Sequence, residues 1–162
     1  EKEYFTLDKK LKDIHENDDK FNFMIYKYNE DSSITRIKVL SQEYTRLKEI
    51  RGNYPDIGLA YLENLNDFEK QNQLIKMFPE FHNIFNDLDT RFIEICKTIH
   101  SMYIQVYAEK KIIDIPKEYV RTLYQLHGQY KRTRQPIRLT DVTYKLVSLN
   151  AKTLAFVLKY RY

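Results

Sequence analysis

The stretch "ITRIKVL", residues 34–40, alternates as a β-strand does and carries two cations, Arg36 and Lys38, at positions i and i+2. Side chains two apart on a strand share a face, so the charges would stand side by side. Such a pair can clamp a phosphate: both attract the anion, and the arginine fork grips two of its oxygens. Alternating charge on an edge strand also guards against aggregation. The residues alone leave the two roles open.

A second basic region lies near the C-terminus. Residues 109–162 hold 12 Lys/Arg against 4 Asp/Glu, a balance of +8, while residues 1–108 hold 15 against 19, a balance of −4. Helical rotation over 117–134 gathers Tyr119, Leu123, Leu126, His127 and Tyr130 on one face. Lys117, Arg121, Gln125 and Arg132 fall on the other, and "YKRTRQPIR" adds Lys131, Arg134 and Arg138. Cations at a helix C-terminus are favoured by the helix dipole alone. The same arrangement suits a phosphate-contacting surface, which makes RNA a candidate partner. Tyr124 and Tyr130 are placed to stack on bases, although the spacing of Tyr130 assigns it to the core.

Other reactive groups reduce to packing or capping. Cys96 and His100, four apart on one predicted helix, could act as ligands or as a thiol and base. Their place beside the apolar stripe of Ile95, Ile99 and Tyr103 predicts a packed thiol and a hydrogen-bonded core histidine instead. Asp18–Asp19 and the Asp87/Asp89 pair are expected at turns and helix starts, as caps. There is no Gly-x-x-x-x-Gly-Lys loop, no Gly-x-Gly-x-x-Gly and no zinc-ligand spacing. No self-sufficient catalytic constellation and no metal site are expected in this segment.

One cysteine excludes an intrachain disulfide and predicts a reducing, intracellular and cytoplasmic setting, an infected cell or virion included. No apolar run reaches the ~18 residues of a membrane span, so no membrane partner is expected. The chain begins with Glu1, as a processed chain or an excised fragment would.

Periodicity predicts the elements that position these groups. A helix over 5–16 (Thr6 as cap; Leu7, Leu11 and Ile14 on one face) precedes a hairpin of 21–28 and 34–40 around the turn "NEDSS". A helix over 41–51 ends at Gly52-Asn53. Helices then follow at 57–66, 67–78, 84–109, 117–134, 141–148 and 151–160, with Pro116 in a first turn and Thr140 and Asn150 as N-caps. In 84–109 the apolar stripe is Leu88, Phe92, Ile95, Ile99, Tyr103 and Val106. The expectation is a mainly α chain: a small N-terminal β-hairpin piece, residues 1–53, followed by an all-α domain, 54–162.

The run from "FNFMIY" through Arg36, Lys38 and Tyr44 to Arg51-Gly52-Asn53 resembles the end of the adenylation domain of RNA ligases. The likeness is to the tRNA-repair type and its large-DNA-virus relatives among the covalent nucleotidyltransferases. In that family two basic residues ending a strand hold the nucleotide phosphate, a role the resemblance gives Arg36 and Lys38. A helical tail follows directly, and "MFPEF", "LHGQY" and "QPIRLTDV" are similar to segments of such viral tails. Two departures stand out. Phe21-Asn22 replaces the family's Glu-Gly, and the nucleophilic lysine of Lys-x-Asp-Gly is absent. The resemblance therefore implies the C-terminal portion of a ligase-like protein, with an upstream adenylation domain, and ATP and Mg only in the complete parent chain. The helical domain would assist RNA binding without catalysis of its own. The alternative is a helical structural or interaction module of a larger assembly.

Overall fold

The computed structural model describes residues 22–40 and 42–162, and the predicted first helix, Thr6 and Asp18–Asp19 lie outside them. The described chain is mainly α with one antiparallel hairpin, β1 (Asn22–Tyr28) and β2 (Ile34–Leu40). It divides at Gly52/Asn53 into two compact units.

In the first unit the hairpin turns through "NEDSS". The Asn29 N–H donates to Ser33 O at 2.9 Å, the Asp31 carboxylate accepts from the Ser33 N–H at 2.9 Å, and Ser32 takes φ 62°. Asn and Asp supply this local bonding, as turn residues do. The register pairs Met24 with Lys38, Tyr26 with Arg36 and Tyr28 with Ile34. Helix α1 (Gln42–Arg51) stops at Gly52, whose φ of 67° suits glycine and whose N–H donates to Lys48 O at 2.8 Å.

The second unit packs around one long helix. In chain order it contains α2 (Ile57–Glu63), α3 (Phe68–Met77), a 3-10 turn at Pro79–Phe81 and α4 (His82–Tyr103). A π turn, Ile104–Ala108, follows, then α5 (Lys117–Thr133), α6 (Leu139–Val147) and α7 (Ala151–Val157). Helix α4 packs against α2, α5 and α6, while α7 covers α2 and α5. Its buried face is Phe85, Leu88, Cys96, Ile99 and Tyr103, with Phe92 and Ile95 only half-buried. Each fully buried Leu or Phe is worth ~1.5–3 kcal/mol. Tyr61 stacks on Phe85 (centroids 4.7 Å apart) and donates its phenol to both Asp89 oxygens at 3.0 and 2.9 Å.

Side-chain caps fix the starts of α2, α3 and α7. Asp56, Asp67 and Asn150 side chains accept from the backbone N–H three residues on, at 3.0, 3.1 and 2.9 Å. Three expectations change. Thr140 is not a cap: α6 begins two residues earlier, because the Asp141 carboxylate accepts the Arg138 N–H at 2.7 Å. Asp87 and Asp89 lie past the first turn of α4, where one pairs with Arg91 at 2.7 Å and the other holds the Tyr61 phenol. The helix expected over 84–109 is α-helical only to Tyr103, after which the backbone widens and Glu109 N–H donates five residues back to Ile104 O at 2.9 Å.

Candidate functional site

In the first unit, the pairing Met24↔Lys38 and Tyr26↔Arg36 places Arg36 and Lys38 on one face, roughly 6.6 Å apart along the strand. Both are exposed and neither joins an ion pair among the described residues. The Arg36 guanidinium lies 5.8 Å from the Tyr26 ring centre and the Lys38 ammonium 5.3 Å from that of Tyr44. Aromatic faces thus steady both cations, whose charge no carboxylate pairs with among the described residues.

In the second unit, all six cations expected to meet RNA are exposed: Lys117, Arg121, Lys131, Arg132, Arg134 and Arg138. None enters an ion pair among the described residues. They do not form one cluster. Lys117 and Arg121 lie about 21 and 15 Å along α5 from Lys131, and Arg134 ends the helix in a left-handed conformation, φ 57°.

Beside the C-terminal end of α5 opens a cleft of about 700 Å³. Its wall is a run of rings contributed by two elements. Tyr107 on the π turn stacks on His127 of α5 with centroids 4.0 Å apart and planes 12° from parallel. Tyr103 continues the run beyond Tyr107 at 5.0 Å, and Tyr130 beyond His127 at 5.9 Å. Tyr130, expected in the core, is 36% exposed because the helix overruns the packed layer by its last turn. Burial, with Lys131 and then Lys110 adding like charge, holds the His127 imidazole below its usual range. It is therefore a neutral aromatic ring near pH 7, and its Nδ1 is buried with no partner among the described residues.

The segment Pro136–Leu139, tied down twice, also lines the cleft. His100 Nε2 is 3.1 Å from Ile137 O, and Asp141 joins Gln129 Nε2 (2.7 Å) to the Arg138 N–H. These ties leave the Arg138 guanidinium on the rim, facing the same opening as Lys110, which stands in the left-handed region at φ 59°.

His100 is therefore a structural donor, as its spacing predicted. Cys96 is buried, accepts a weak hydrogen bond from the Thr143 hydroxyl at 3.8 Å, and burial pushes its thiol up, away from nucleophilic character. Among the described residues no cluster of three or more His, Cys, Asp or Glu could hold a metal ion, and no helix is long and apolar enough to cross a membrane. Sequence reasoning missed Tyr103, Tyr107 and Lys110 as site residues. The available signal was two ring pairs at helical spacing, Tyr103/Tyr107 and His127/Tyr130, but only tertiary packing joins them. Comparison with protein-family models, curated proteins and solved structures finds no match for this chain.

Proposed function

We propose that this chain is the C-terminal part of an RNA-ligase-like nucleotidyltransferase, and that its helical unit holds single-stranded RNA without catalysing a reaction. The observation that carries the RNA-holding role is the set of six exposed cations outside any ion pair among the described residues, ending beside a ring-lined cleft. Cations that track a backbone together with rings that take bases are the two parts of a single-strand binder. The ligase kinship rests on the Arg36/Lys38 segment. In the parent chain these two residues hold a nucleotide phosphate, and the upstream domain supplies the lysine, ATP and Mg chemistry.

The test is a filter-binding titration of labelled single-stranded RNA at two salt concentrations. Arg121→Ala, Arg132→Ala and Arg134→Ala together should weaken binding several-fold at low salt. Each phosphate left without its cation should reduce the salt slope by ~0.7. Equal affinities would overturn the RNA reading and favour a helical interaction module. The chain incubated with labelled ATP and magnesium should form no covalent adduct. A lysine-linked AMP would refute the non-catalytic assignment.

A further inference from the structure

The backbone-tracking cations explain attraction to any polyanion, but they do not account for the cleft. We propose that the cleft between the π turn, the C-terminal half of α5 and the Pro136–Leu139 segment is a pocket for one nucleotide. The base stacks on Tyr130, the exposed ring that ends the run, and Lys110 and Arg138 hold the phosphate. This deepens the RNA-holding reading and rests on it.

Four observations converge. The cleft's 700 Å³ falls within the ~300–1,000 Å³ typical of pockets for small ligands. Its wall is a run of rings from two elements, in which Tyr107 and His127 cover one another's faces and the 36% exposed Tyr130 ends the run with a ring on which a base can stack. The imidazole next to Tyr130 in that run is neutral near pH 7, so it adds no charge to the wall. The two rim cations are exposed and outside any ion pair among the described residues, whereas the neighbouring Lys111 is engaged by Glu109 at 2.8 Å. Lys110 is also held at φ 59°, a conformation that favours glycine or asparagine. A lysine there puts charge on the rim at a backbone cost. The two ties on Pro136–Leu139 fix the backbone that carries Arg138, which lines the same cleft as Lys110.

A nucleotide of this kind can come from a strand or be free, and the arms of the experiment separate the two. The whole chain is titrated with a short oligoribonucleotide, with the same strand carrying abasic sites, and with AMP. Stacking of one base should favour the intact strand over the abasic one by about fivefold to a hundredfold. Tyr130→Leu should erase that preference while leaving salt-dependent binding of both strands. Lys110→Gln with Arg138→Gln, at exposed positions that leave the core untouched, should weaken AMP and intact strand together. Arg121→Ala with Arg132→Ala should weaken both strands alike and keep the ratio between them. AMP binding that needs Lys110 and Arg138, without strand binding, would support the pocket and remove the RNA-holding reading. Equal affinity for intact and abasic strands, with no AMP binding, would overturn the pocket while leaving the reading in place. No binding of any of the three would overturn both.

Discussion

Arg134 shows how a single residue can serve charge against stability. It follows the last turn of α5 at φ 57° and donates its N–H to Tyr130 O at 2.7 Å, the position that helices usually give to glycine. A side chain there costs ~1 kcal/mol, so Arg134→Gly should raise the denaturant midpoint by an equivalent amount while weakening RNA binding. Gly58 is the opposite case. A Cβ at this position would collide with the Tyr160 phenol, which donates to the Asp56 carboxylate at 3.1 Å and whose pKa is pushed up to about 12 by burial and that bond. Alanine gains ~1 kcal/mol of helix propensity, but overpacking costs ~1–3 kcal/mol and the phenol's bond is broken as well. Gly58→Ala should therefore destabilise by about 1 kcal/mol or more, measured by urea unfolding. His127 makes stability depend on pH. Its folded pKa lies below the ordinary 6.5, so the unfolded chain binds its proton first as the pH falls. The stabilisation is complete above about 6.5 and is lost as the pH drops toward the folded value. His127→Phe keeps a ring and removes the titration. The difference in unfolding free energy should shift in favour of the variant between about pH 7.5 and 5, and a gap independent of pH would refute the assignment.

At the scale of elements, the helices were legible wherever a local signal stood at their ends. Asn150 caps α7, and Gly52 ends α1, because each acts within one turn of its own backbone. The start of α6 was misplaced because its N-terminus is set by a side chain inside the helix. Asp141 reaches back to Arg138 and across to Gln129, and that crossing is tertiary. It joins the end of α5 to the start of α6, so Asp141→Ala removes two bonds and frees the segment that carries Arg138. A loss of ~1–3 kcal/mol is expected, with faster amide exchange at Ile137–Asp141. The π turn escaped sequence reading for a related reason: Ile104–Ala108 keeps helical spacing in its residue types, and only the hydrogen bond from Glu109 to Ile104 reveals the wider coil. The cleft was illegible since its two ring pairs come from separate elements, each pair explicable as core. The basic positions were readable as charge, and of those six only Arg138 lines the cleft.

For the whole molecule, the division at Gly52/Asn53 predicts that residues 53–162 hold their core alone. The interior around α4, from Leu59 and Phe85 to Leu126 and Leu154, lies inside that segment. A fragment 53–162 should unfold in one cooperative transition with helical circular dichroism, and a gradual, non-cooperative melt would contradict it. The ring wall has an optical consequence as well. The sequence contains 14 Tyr and no Trp, so ultraviolet emission comes from tyrosine, and three of those emitters, Tyr103, Tyr107 and Tyr130, line the cleft. A base stacked on Tyr130 would quench part of that light without any label attached to protein or strand. Phenylalanine at 107 and 130 would keep the stacking surface yet darken most of the report, separating what the pocket holds from what the spectrometer sees.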